Sequence, residues 1–71
     1  MGPLPEEFYT LAKLREVDLV GCDISGTLSG NIGNLKNLRS FDIAYNNIGG
    51  PVPEELGTIP KLTWLDLEVH P

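Results

Sequence analysis

Apolar side chains recur along this chain at a spacing of 24 residues, in six columns. Leu4, Leu28 and Val52 align, as do Phe8, Ile32 and Leu56; Leu11, Leu35 and Ile59; Leu14, Leu38 and Leu62; Val17, Phe41 and Leu65; and Leu19, Ile43 and Leu67. Ile24 and Ile48 make a seventh, shorter column. A period of about 20–29 residues predicts a solenoid, in which each unit buries the apolar face of the next and leaves one continuous outer surface. Such surfaces are typically used for binding, so the period constrains the class of function as well as the fold.

The 71 residues bound the chain to one small domain, and a chain of this size buries a smaller share of its surface than a larger one does. The expectation is a single segment over residues 1–71 of about three repeats, uncapped at both ends. A segment of that kind is expected to be a slice of a longer protein, and on its own to be weakly folded or self-associating, because its end units expose apolar faces.

Charge narrows the partners. The net charge is −5, and the basic residues Lys13, Arg15, Lys36, Arg39 and Lys61 are scattered, which argues against nucleic acid, whose phosphates need clustered cations. No apolar run approaches the roughly 18 residues of a membrane span, so direct membrane insertion by this segment is not expected. The opening Met-Gly-Pro-Leu-Pro-Glu-Glu has neither the basic nor the apolar region of a signal peptide. Cys22 is the sole cysteine, which excludes an internal disulfide, and no Asn-x-Ser/Thr triplet occurs.

Catalytic chemistry finds no support in the residues. His70 is the only histidine, with no Ser or Cys nucleophile and orienting acid set beside it. Gly26, Gly30 and Gly33 lack the Gly-Lys-Ser/Thr of a phosphate loop, and the acids have no calcium-loop spacing. The chain is therefore expected to be no enzyme, with no cofactor and no metal.

Within one period, residues 16–20, 40–44 and 64–68 alternate apolar with other residues, the mark of a strand with one buried face. Stacked repeats make these strands neighbours in a parallel sheet, about 4.8 Å apart. Turns rich in Gly, Asn and Ser follow, at residues 26–30 and 46–50. Apolar spacings of three and four then permit short helical turns over 8–11, 32–35 and 56–59.

The series Leu14, Val17, Leu19, Cys22, Ile24 and its second copy Leu38, Phe41, Ile43, Asn46, Ile48 resemble the leucine-rich repeat. A third copy begins at Leu62, Leu65 and Leu67 and reaches His70. The continuation from Asn46 through Gly49, Gly50, Pro51, Val52, Pro53 and Leu56 is similar to the Gly-x-Ile-Pro segment of the plant-type 24-residue class. Gly2, Leu4, Pro5, Glu6 and Glu7 match its tail. The resemblance implies an α/β repeat solenoid with short parallel strands on the concave face and short 3-10 or helical turns on the convex side. It also implies a slice of a plant receptor-like serine/threonine kinase or receptor-like protein ectodomain. That places the segment on the extracellular side of the plasma membrane as part of a longer parent. Its partner would be a protein or peptide ligand, or a co-receptor.

Residues alternating with the buried ones face out, in the columns Glu16, Ser40 and Trp64; Asp18, Asp42 and Asp66; and Val20, Ala44 and Glu68, with Tyr45 at a strand end. Candidate ligand contacts are Glu16, Asp18, Ser40, Asp42, Tyr45, Trp64, Asp66 and Glu68. The Asp column reads either as a site for a basic peptide or cation, or as scaffold, since the plant class commonly carries Asp there. Trp64 and Tyr45 are candidate hot spots; Trp64 is also readable as packing on a neighbouring repeat. Arg15 and Arg39 read as solvated edge charges or as partners of a carboxylate. In the resembled family the column of Cys22, Asn46 and His70 is an inward ladder that hydrogen-bonds backbone groups. Two other readings stay open: a structural solenoid fragment or truncated gene product without its own ligand, and an intracellular scaffold of the same repeats.

Overall fold

A computed structural model describes residues 2–67, and each sequence period folds into a similar set of pieces. Five-residue 3-10 helices η1 (Glu6–Thr10), η2 (Gly30–Asn34) and η3 (Glu54–Thr58) alternate with three-residue strands. The strands are β1 (Glu16–Asp18), β2 (Ser25–Thr27), β3 (Ser40–Asp42), β4 (Asn47–Gly49) and β5 (Trp64–Asp66). β1, β3 and β5 form a parallel sheet in that order, with Val17 opposite Phe41 and Phe41 opposite Leu65. The register of this sheet is therefore the sequence period itself.

The strands are shorter than the alternation at 16–20, 40–44 and 64–68 predicts. Asp18 and Asp42 stop them: the Oδ1 of each accepts from a backbone N–H two residues on, Val20 at 3.3 Å and Ala44 at 3.1 Å. Gly21 and Tyr45 then take left-handed φ values of 64° and 58°. Such side-chain bonding to local backbone competes with continued strand. Ala44, placed by parity on the exposed face, is consequently turned inward and buried.

The turns expected at 26–30 and 46–50 contain a second parallel pair, β2 with β4. Ser25 lies opposite Asn47, an offset of 22 rather than 24 residues. A slip of two leaves each side chain on its own side, because strand side chains alternate with period two. Gly26 and Gly50 make the close approach that this stacking demands. Both have left-handed φ, +81° and +77°, and a Cβ would meet Pro3 Cβ at 3.1 Å in the first and Thr27 Cγ2 at 2.9 Å in the second.

The helical turns begin two residues earlier than the apolar spacing predicts. Pro5, Ser29 and Pro53 open them through their carbonyls, which accept from Phe8, Ile32 and Leu56 N–H at 3.0, 3.1 and 3.2 Å. Proline presets the required φ, whereas the Ser29 hydroxyl caps Asn31 N–H at 3.0 Å. The pattern continues in steps of three, from Leu11 to Phe8, Leu14 to Leu11, and likewise in the two later copies. In 3-10 geometry residues three apart eclipse. Phe8 therefore aligns with Leu11, the C-cap, whose ψ of 65° ends the helix before Leu14.

Burial depends on having neighbours on both sides. In the middle copy Leu28, Ile32, Leu35, Leu38, Phe41 and Ile43 are all buried. Their column mates Leu11, Val52 and Leu65 are 49%, 61% and 44% exposed, although the period assigns them inward positions. Among the described residues nothing stacks beyond them. Tyr9 joins the core without belonging to any apolar column: its ring stands edge-on to Phe8 at 5.4 Å and its hydroxyl accepts from Ser29 N–H at 3.2 Å. Its column mates are Gly33 and Gly57, so the sequence carries no periodic signal for it.

Candidate functional site

The strand face is assembled by backbone before any side chain acts. The Arg15 carbonyl accepts from Arg39 and Ser40 N–H at 2.7 and 3.1 Å, and the Arg39 carbonyl accepts from Thr63 and Trp64 N–H at 2.8 and 3.1 Å. Thr63 Oγ1 donates to the same Arg39 carbonyl at 3.2 Å. Arg15 and Arg39 thus hold the rows in register through their main chains, with their side chains exposed.

Two rows of side chains result. One is Glu16, Ser40 and Trp64; the other is Asp18, Asp42 and Asp66. Glu16, Asp18 and Trp64 are exposed, while Ser40, Asp42 and Asp66 are half-buried. Trp64 is 58% exposed, and Tyr45, at the turn after β3, is 59% exposed. Glu68 lies outside the described residues, as does His70. Asp18 and Asp42 each commit one carboxylate oxygen to ending a strand, so the column has a scaffold duty; the second oxygen retains acceptor capacity for a partner. Acids dominate the two rows, and no Lys or Arg stands within β1, β3 or β5.

Behind this face lies a buried polar junction centred on Asn46. Its Oδ1 accepts from Cys22 and Ile24 N–H at 3.0 and 2.9 Å. Its Nδ2 donates to the carbonyls of Leu19, Ile43 and Ala44 at 2.7, 2.9 and 3.2 Å. One side chain therefore satisfies backbone groups of two successive repeats, as burial requires. Cys22, in the same column, donates weakly from Sγ to Val20 O at 3.7 Å.

A hollow of about 580 Å³ lies away from these rows at the open end of the first copy. Leu4, Phe8, Leu11, Leu14, Val17 and Leu19 line it. The exposure of Leu11 in this end unit agrees with the expectation that end units expose apolar faces, since an end unit has a neighbour on one side only. Among the described residues no group of three or more His, Cys, Asp or Glu side chains is placed to hold a metal ion. No helix among them is long and apolar enough to cross a membrane.

Parallel strands in a 24-residue register, 3-10 connections and an asparagine junction define a repeat protein. Residues 12–69 match the leucine rich repeat family, and the chain belongs to it. It is 40% identical, over 73% of its length, to a leucine-rich repeat receptor-like serine/threonine-protein kinase of Arabidopsis thaliana, covering 5% of that protein. It is 36% identical over 87% of its length to Receptor-like protein 50 and 33% identical over 94% to Receptor-like protein 41, both of Arabidopsis thaliana. The chain spans 7% and 8% of those two proteins.

Proposed function

We propose that this chain is a protein- or peptide-binding segment of a plant receptor-type ectodomain, and that β1, β3 and β5 lie on the concave side of a longer solenoid. The single observation that carries this reading is the register. It sets Glu16, Ser40 and Trp64 beside Asp18, Asp42 and Asp66 on one face, with Trp64 and Tyr45 more than half exposed. Glu68 extends that set of candidate contacts. Exposed aromatics on a rigid sheet supply contact area at little entropic cost, and the acidic rows favour an extended partner that carries basic side chains. The segment is non-catalytic in this role. It stands on the outer side of the plasma membrane within its parent and meets a ligand or co-receptor there.

Binding of immobilised basic and acidic peptides of matched length, with the segment held in its parent, tests this. Selectivity for the basic set, falling with added salt and weakened at least about tenfold by Trp64→Ala, is the expected result. Equal binding of both sets, or unchanged affinity in a folded Trp64→Ala protein, overturns it. The exposed Leu11, Val52 and Leu65 favour a second reading, a structural unit whose role is to extend the stack without a ligand of its own. Complete absence of peptide binding supports that alternative.

A further inference from the structure

The five basic side chains, scattered along the sequence, are gathered by the fold. Lys13, Arg15, Lys36, Arg39 and Lys61 all fall in the stretches 11–15, 35–39 and 59–63, each of which joins a 3-10 helix to the strand that follows. None of the chain's ten Asp and Glu residues falls there. The three stretches share one shape, since Leu14, Leu38 and Leu62 N–H donate to the carbonyls of Leu11, Leu35 and Ile59 at 3.1, 3.1 and 3.4 Å. They are also tied to one another. Asn37 Nδ2 donates to the Ala12 carbonyl at 3.0 Å, and Arg39 and Thr63 N–H donate to the Arg15 and Arg39 carbonyls at 2.7 and 2.8 Å.

All five cations are exposed. The result is a ridge of one sign, with Arg15 beside Arg39 at the spacing of adjacent strands, about 4.8 Å, and with Lys13 and Lys61 flanking Asn37 in a second column. Because the ridge runs along the stack, further repeats of a longer solenoid lengthen it and leave it uncovered.

We infer that this edge binds a linear polysaccharide that carries one anionic group per sugar. Its composition and surroundings disfavour other polyanions. Protein interfaces are depleted in Lys and rely on aromatic anchors, whereas three of the five cations here are Lys and the exposed rings of Trp64 and Tyr45 lie outside these stretches. Single-stranded nucleic acid needs such rings for base stacking. The edge is also narrow: Glu16, Asp18, Asp42 and Asp66 stand on the strand side, and Glu6, Glu7, Glu54 and Glu55 open η1 and η3 on the other. A duplex, with one charge per about 1.7 Å of axis, or an anionic lipid surface would lay phosphates over those carboxylates.

A sugar chain is slim and advances by roughly one strand spacing per ring, so its anions fall in step with Arg15 and Arg39. Each guanidinium fork takes a carboxylate or a sulfate through two N–H bonds, and the Lys side chains add point charges on flexible stems. In an extended acidic peptide, side chains on one face recur at about 6.6 Å and fall out of step. The edge lies beside the strand face and does not use it, so this inference is independent of ligand binding there.

The test is binding of an oligouronate and of a sulfated oligosaccharide of the same length to the segment held in its parent. A neutral oligosaccharide, an acidic peptide and a DNA duplex of matched total charge, and anionic vesicles are measured beside them. Binding of a charged oligosaccharide, falling with added salt and absent for the neutral one, is the expected result, and the tighter of the two identifies the group as carboxylate or sulfate. Exposed ion pairs contribute little singly, so Lys13→Gln/Lys61→Gln should weaken binding about threefold, and addition of Arg15→Gln and Arg39→Gln at least about tenfold. Glutamine keeps the main-chain carbonyls that tie the repeats, so the unfolding temperature should not change. Trp64→Ala should leave the affinity unaltered. No binding, full affinity in both Gln variants, or loss of affinity in Trp64→Ala overturns the inference. Peptide, duplex or vesicle binding as tight as that of the oligosaccharides overturns it too.

Discussion

Asn46 carries more of the chain's specificity than any apolar residue, because its amide makes five hydrogen bonds to main-chain groups. Asn46→Ala would strand a buried donor at Ile24 and a buried acceptor at Ile43, with part-buried ones at Cys22 and Leu19. The expected cost is about 3 kcal/mol, read from urea unfolding, given roughly 1–3 kcal/mol for each unsatisfied buried group and partial relaxation. Asn46→Asp keeps the acceptor and loses the donor, so it should also destabilise, by nearly as much. Tyr45 poses the opposite case. Its left-handed φ of 58° is a conformation that costs an L-residue about 1–2 kcal/mol, and its column mate Gly21 adopts the same region at 64°. Tyr45→Gly should therefore raise stability by about 0.5–1 kcal/mol, after allowance for the larger entropy of glycine in the unfolded chain. If the ring is also a ligand contact, the same variant binds peptide more weakly. Gain in stability with loss of binding separates the two roles within one residue.

At the scale of the element, Gly50 tests the close stacking of β4 on β2. Gly50→Ala places a methyl 2.9 Å from Thr27 Cγ2 in a left-handed conformation and should cost about 2 kcal/mol in thermal unfolding. Gly49→Ala, one residue away in β4 with nothing near its added Cβ, should change stability by less than about 0.5 kcal/mol. Equal effects at the two positions would show that close approach is not what selects glycine there. The β1-β3-β5 sheet was legible in the sequence because Val17, Phe41 and Leu65 alternate with polar neighbours and recur in phase. β2 and β4 were not. Ser25, Gly26, Asn47 and Gly49 are poor strand formers, and only stacking one repeat on the next aligns them. The 3-10 helices were legible in position and not in start, since spacing reports the buried residues while Pro5, Ser29 and Pro53 set the opening. On the candidate face, the rows themselves followed from parity. The inward turn of Ala44 did not, because it depends on Asp42 ending β3 before parity would have counted that far.

For the whole molecule the governing quantity is the number of neighbours each repeat has. Periodicity reveals which side chains face inward but not whether anything covers them, so Leu11, Val52 and Leu65 share columns with Leu35, Leu28 and Phe41 and yet stand in water. In a stack where each unit contacts only its neighbours, stability is a sum of unit and interface terms. The middle copy has two interfaces and a fully buried set of columns, and each outer copy has one. Opening should then proceed from the ends, with local free energies rising inward. Amide hydrogen exchange measures this directly. The N–H groups of Leu35, Leu38 and Ile43 should be the slowest to exchange, and those of Leu11, Leu14 and Leu62 faster by at least about tenfold, equivalent to roughly 1.4 kcal/mol of local stability. Uniform exchange rates across the three copies would instead mean that the chain opens as one unit, and that coverage of the end repeats contributes little to holding them.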